Sequence, residues 1–250
     1  MNLAIHRNAA EANDAAADML ARWLVLPEAR NIMLAAGNTP LELYRRIAER
    51  SGRGADGKNL RLDRLHLFAL DEYVGVPRGE PRNCANLIRR AAAQAWGVPD
   101  SQYFTVSSVE TEAPESLRAH EENIAHAGGI DVIVLGLGQN GHLGFNEPGS
   151  AEDSPGRVLD LEPSSIEANR LWFGGEFAPA RGATVGLKTI LGSRRVLLLA
   201  YGPHKTAAVQ AMVQGPRSSA CPASFLQGHP QAHVFLDATA AAGLKGNGLR

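Results

Sequence analysis

The chain has 250 residues, 44% hydrophobic and 20% charged, a balance typical of globular proteins that excludes disordered, fibrous and membrane-spanning classes. With 25 basic and 26 acidic side chains the formal net charge is -1, so no overall field gathers a polyanion and nucleic acid is excluded as a partner. A small ligand held by local charge is compatible with both facts.

The first residues run into an Ala-rich stretch containing Glu11 and Asp14, which no secretory leader carries, and no apolar run approaches a membrane span. A cytoplasmic protein without a membrane partner is therefore expected. Residues 9–24 place Met19, Leu20, Trp23 and Leu24 at helical spacing, and 31–36 form a short apolar run stopped by Gly37. A second helical pattern covers 40–50. After it come a polar, glycine-rich turn at 52–59, a strand at 65–70, and helices at about 83–96 and 114–126. The run at 130–135 is almost wholly β-branched or apolar, as in a central parallel strand covered on both faces, and 195–200 and 233–236 repeat that signature. Strands alternating with helices predict βαβ units. The fold class expected is α/β, a single doubly wound, mainly parallel sheet with helices on both faces, in one domain spanning 1–250. Residues 149–179, rich in small, polar, Pro and Gly positions, are expected to form a mobile lid. Cys84 and Cys221 match no metal-ligand or CxxC spacing and read as reduced thiols.

Sheets of this kind bind ligands beyond the C-terminal ends of their strands, and three loops there carry unusual chemistry. In Ala36-Gly-Asn-Thr-Pro40, Gly37 permits positive φ, Thr39 can cap and Pro40 suits the first helical position. Free amides at such a start attract an anion, although a capped helix without a ligand needs similar residues. Asp71 and Glu72 stand at the end of the strand at 65–70, where partial burial raises a carboxylate toward a useful base; a solvated acidic turn is the alternative. The segment 135–149 gathers Asn140, His142 and Glu147 among glycines, a pattern for proton transfer in which the acid fixes the imidazole tautomer. A histidine satisfying a loop carbonyl is the alternative there. Gly136, Gly138 and Gly141 also match a dinucleotide fingerprint, with Asp160 near the spacing of a ribose-binding acid. Gly144, Pro148, Gly149, Pro155 and Gly156, however, deny the helix that fingerprint needs.

Five blocks together resemble the glucosamine/galactosamine-6-phosphate deaminase/isomerase family, whose fold is shared with 6-phosphogluconolactonases. They are Ala36-Gly-Asn-Thr-Pro-Leu41, Leu70-Asp-Glu-Tyr-Val-Gly75, Gly138-Gln-Asn-Gly-His-Leu-Gly-Phe-Asn-Glu-Pro-Gly149, Arg181-Gly-Ala-Thr-Val-Gly-Leu-Lys-Thr-Ile-Leu191 and Cys221-Pro-Ala-Ser-Phe-Leu226. The resemblance implies conversion of an amino-sugar 6-phosphate to a ketose 6-phosphate and ammonia, without cofactor or metal, in a monomer or homo-oligomer. It implies that Asp71 carries the proton between C2 and C1, that His142 assists ring opening and that Glu147 holds His142, with Asn140 beside them. Gly37, Asn38, Thr39 and Lys205 would bind the phosphate, and Glu72, Gly138 and Gly141 would line the substrate site. Asn140 stands where several members carry a third acid. Leu171 stands where a phosphate-contacting arginine is common, and Arg170 is offered in its place. Ser154-Pro-Gly156 replaces the Ser-Arg-Thr string of many glucosamine enzymes, which leans the chain toward the galactosamine branch and away from allosteric activation. A lactonase on the same fold and a non-catalytic sugar-phosphate sensor are the alternatives.

Overall fold

The β-branched run near residue 132 becomes β6 (Val132–Gly136), the middle of a seven-stranded sheet in which every pairing is parallel. The computed structural model describes residues 1–51 and 60–246; the turn expected at 52–59 lies outside the described residues. The other strands of this sheet are β1 (Asn2–His6), β2 (Asn31–Leu34), β3 (His66–Ala69), β5 (Tyr103–Phe104), β9 (Arg195–Ala200) and β10 (Ala232–Asp237). Their order is β1-β10-β9-β6-β2-β3-β5. From β2 the chain winds outward through β3 and β5 on one side; from β6 it winds through β9 and β10 on the other. The switch point therefore lies between β2 and β6, whose following loops form a crevice.

Side chains alternate between two cores, as the two-residue period of a strand requires. Ile32, Leu34, Val132 and Val134 meet α1 (Ala9–Leu24) and α2 (Asn38–Glu49) on one face. Met33, Ile133 and Leu135 share the other core with residues of α4 (Ala113–His126), α6 (Leu187–Leu191) and α7 (Thr206–Gln214). The helix expected at 83–96 is divided into α3 (Cys84–Ile88) and a π-helical turn, Arg89–Gln94.

The main difference from expectation is a second sheet. Asp71–Val74 is not a loop but a strand, β4, antiparallel to β8 (Arg181–Thr184), which pairs in turn with β7 (Arg157–Asp160). Leu70 joins the sheets: its amide donates to Leu34 O at 3.0 Å and its carbonyl accepts Val185 N at 3.1 Å. Asp71 thus stands at a junction fixed by backbone bonds on both sides. The segment expected as a lid contains β7 and α5 (Pro163–Trp172), with turns and irregular stretches between and around them. No described helix is long and apolar enough to cross a membrane.

Candidate active site

A cavity of about 370 Å³ opens at the switch point, lined by the loops after β2, β3 and β6, by α5 and by the turn before α7. Its first wall is the start of α2. Gly37, at φ 101°, holds the N-cap position, no side chain caps the helix, and Pro40 falls third in the helix rather than first. Without a capping side chain, the first amides of α2 are left to a ligand. Gly37, Asn38 and Thr39 all line the cavity.

The second wall is β4. Neighbouring residues of a strand face opposite sides, so Asp71 and Tyr73 line the cavity while Glu72 does not. Glu72, expected to bind substrate, turns inward and accepts amide hydrogens from Tyr73 (2.7 Å), Cys84 (3.1 Å) and Ala85 (2.9 Å), anchoring the start of α3. Burial pushes it above the usual carboxylate range, while those amides pull the other way. Asp71 is 6% exposed. Burial, and then the Glu72 charge, push it up to about 7 against a hydrogen bond from the Cys84 thiol.

The third wall is the loop after β6. No helix follows Gly141; the chain turns instead, so the dinucleotide fingerprint has no helix to serve it, and Asp160 is exposed beside Arg181. His142 Nδ1 stands 3.2 Å from Glu147 Oε2, which also accepts from Asn140 Nδ2 at 2.7 Å. Asn140 Oδ1 in turn accepts His142 N at 3.2 Å. Burial would raise Glu147, but its hydrogen bond and charge pairing with His142 outweigh that and hold it down at about 2. An ionised carboxylate only accepts, so Nδ1 carries a hydrogen, and when the ring is neutral Nε2 is its acceptor. The ring lies over Gly138, where a Cβ would come within 2.3 Å of it. Gly141, expected at the substrate, instead packs on Cys221 and its carbonyl accepts Ala223 N at 2.9 Å.

Two further elements close the cavity. Ser165, Ala168, Asn169 and Trp172 of α5 line it at helical spacing. Arg170 falls on the outer side, exposed and paired with Glu167 at 3.4 Å, so it is not the expected phosphate contact. Lys205 and His204 line the cavity from the 3-10 turn Pro203–Lys205, and burial pulls the Lys205 ammonium below its ordinary value. Of these, Tyr73, Asn169, Trp172 and His204 went unread in the sequence; the available signals were His204 lying next to Lys205 and the helical spacing of 165, 168, 169 and 172. Among the described residues no group of three or more His, Cys, Asp or Glu side chains is placed to hold a metal ion.

Residues 5–235 match the family model described as glucosamine-6-phosphate isomerases/6-phosphogluconolactonase. A glucosamine-6-phosphate deaminase of Corynebacterium kroppenstedtii is 38% identical over 246 residues, covering 98% of this chain and 93% of that protein. One of Pseudarthrobacter chlorophenolicus is 40% identical over 213 residues, covering 85% and 80%. The solved structure of a monomeric glucosamine-6-phosphate deaminase superposes with a TM-score of 0.90 at 29% identity, covering 98% of this chain and all of that one (100%). A 6-phosphogluconolactonase from Trypanosoma cruzi, at TM-score 0.77, 20% identity and coverages of 98% and 97%, shares the fold. The chain belongs to the glucosamine-6-phosphate isomerase/6-phosphogluconolactonase family.

Proposed function

We propose that this chain is a glucosamine-6-phosphate deaminase, acting as one domain on a sugar phosphate. The observation that carries this is the arrangement around one cavity: a buried carboxylate raised to about 7 at Asp71, an Asn140–Glu147–His142 cluster, and an uncapped helix start lining the cavity together with Lys205. The names of the relatives give the substrate.

In this mechanism the phosphate sits on the amides of Gly37, Asn38 and Thr39 and on Lys205, which orients the sugar's reacting end toward Asp71. His142 Nε2 takes the anomeric hydroxyl proton and returns it to the ring oxygen, opening the pyranose to the aldehyde. Asp71 removes the proton from C2, giving an enolamine, and delivers a proton to C1. The resulting C2 imine adds water and expels ammonia, leaving fructose 6-phosphate. Glu147 keeps the His142 ring in the Nδ1–H tautomer throughout. Asn140 keeps Glu147 in place, as a neutral donor where a third acid stands in other members.

Cys84 and Cys221 are buried and unbridged, which supports a reducing, cytoplasmic setting. The test is to incubate purified protein separately with glucosamine 6-phosphate, galactosamine 6-phosphate and 6-phosphogluconolactone, following release of ammonia and acid. Ammonia from the glucosamine compound is expected. Ammonia from the galactosamine compound alone would move the chain to that branch, acid from the lactone would make it a lactonase, and binding without turnover would make it a sensor.

A further inference from the structure

We propose that His204 is a second side-chain contact to the substrate's phosphate, placed beside Lys205; this rests on the sugar-phosphate function above. A phosphate monoester brings up to two negative charges into the cavity. Among the described residues lining it, only Lys205, His142 and His204 can carry positive charge. His142 is bound to Glu147, and Asp71 is itself an acid. Arg170 is turned outward onto Glu167. Lys205 alone would leave a dianion half matched, and His204 is the remaining donor on the same turn.

The turn is preorganised for this. Gly202 N donates to both carboxylate oxygens of Asp237 at 3.1 Å, and Lys205 N donates to Gly202 O at 3.1 Å. Gly202 sits at φ +88°, and a Cβ there would stand 2.8 Å from His204 Cε1 and 2.9 Å from Nδ1 but 4.0 Å from Nε2. The Cε1–Nδ1 edge of the imidazole is thus laid against Gly202, with Nε2 the ring nitrogen farther from it. Among the described residues His204 makes no side-chain hydrogen bond or ion pair, and it lines the cavity. The same cavity is lined on another side by Gly37, Asn38 and Thr39. An anion on the α2 amides is therefore offered donors from two elements.

The test compares wild type, His204→Ala, His204→Lys and Lys205→Ala as full-length proteins, using glucosamine 6-phosphate as substrate and inorganic phosphate as competitor. His204→Ala is expected to raise KM and the phosphate inhibition constant together by about three- to tenfold, the scale of a partly exposed charged contact, with the loss in KM rather than kcat. His204→Lys should restore both constants, which a residue needed only to shape the turn would not do. If His204→Ala leaves both constants at wild-type values while Lys205→Ala raises them, His204 lies outside the phosphate site and the proposal is wrong. If wild type releases no ammonia, the proposed function falls separately. Calorimetric titration of inorganic phosphate then decides the role of His204: weaker binding to His204→Ala supports it, and equal binding overturns it.

Discussion

The backbone at Gly144 passes so close to Asp71 that a Cβ on it would stand 3.3 Å from Asp71 Oδ2 and 2.7 Å from Thr184 Oγ1. Gly144 also holds φ +58°, where a side chain is strained. Thr184 is fully buried and accepts Phe145 N at 3.3 Å, so it has little room to yield. Gly144→Ala is therefore expected to lower unfolding free energy by about 1 to 3 kcal/mol and to slow turnover by about tenfold or more as the carboxylate is displaced. Urea denaturation and ammonia release check the two effects. An alanine variant that matches wild type in both would show that the loop moves aside freely.

With Asp71 as the proposed base at about 7, activity is expected to rise with pH, because a base must first lose its proton. kcat/KM should climb as pH passes upward through about 7, and Asp71→Asn should remove that limb with about a hundredfold or greater loss of rate. Stability runs the opposite way. The folded value lies above the ordinary aspartate value, so the neutral carboxyl is the favoured form and its contribution is lost as pH rises from about 4 to about 7. Asp71→Asn should consequently be more stable than wild type at pH 8, by on the order of a few kcal/mol, in thermal or urea unfolding. A variant that keeps its rate, or gains nothing in stability, contradicts the assignment.

His142→Gln separates ring opening from proton transfer at carbon. Since the imidazole is assigned to the first step, the variant should lose more rate on the closed pyranose than on an analogue held in the open-chain form. Equal losses on both would place His142 in the later chemistry.

How far the site was legible follows from how local its signals are. The segments at 36–40 and 138–149 could be read because glycines, a proline and the His142–Glu147 pair constrain the chain within a few residues. β6 could be read because its run is continuously apolar. The second sheet could not: it pairs Asp71 and Arg157 with Thr184 across long loops, using four-residue strands that carry charged or exposed residues. The face of Glu72 depended on β4 being a strand, and that of Arg170 on the phase of α5. One residue of helix turns the side chain by about 100°, which puts Asn169 and Trp172 inside and Arg170 outside. The spacing of 165, 168, 169 and 172 was the available signal, hidden by a segment whose Pro and Gly content suggested loop.

His120 supplies a pH effect away from the chemistry. It is 2% exposed, its Nε2 lies 2.8 Å from Ala69 O, and burial pushes it down to about 4. The neutral ring is the form that fits. Its contribution is complete above the ordinary histidine value of about 6.5 and is lost as pH falls from there toward about 4. Between pH 7 and pH 5 that amounts to about 2 kcal/mol. His120→Gln should be less stable than wild type at pH 7 but should lose less on going to pH 5. Urea midpoints at the two pH values measure this, and an unchanged pH dependence in the variant would rule it out.

Arg82 ties α5 to the loop before α3, and that tie should control the entrance to the cavity. Its Nη1 donates to Phe173 O at 2.9 Å, Nη2 reaches Glu176 and Nε reaches Glu80, while the guanidinium stands 5.4 Å from the Phe173 ring centroid. In return Trp172 Nε1 donates to Arg82 O at 3.1 Å, and Trp172 lines the cavity. Individually these partly exposed contacts are weak, but they converge on the C-terminal end of one ten-residue helix that supplies a whole wall. Arg82→Ala keeps the backbone carbonyl that receives Trp172 and removes the rest. Amide exchange across 163–172 should then accelerate relative to wild type, and KM should rise by about three- to tenfold with a smaller change in kcat, since the chemistry sits on β4 and the loop after β6. Substrate should slow that exchange in wild type as α5 settles over it. If exchange at 163–172 is the same in both proteins and indifferent to substrate, α5 is a fixed wall and the entrance lies elsewhere.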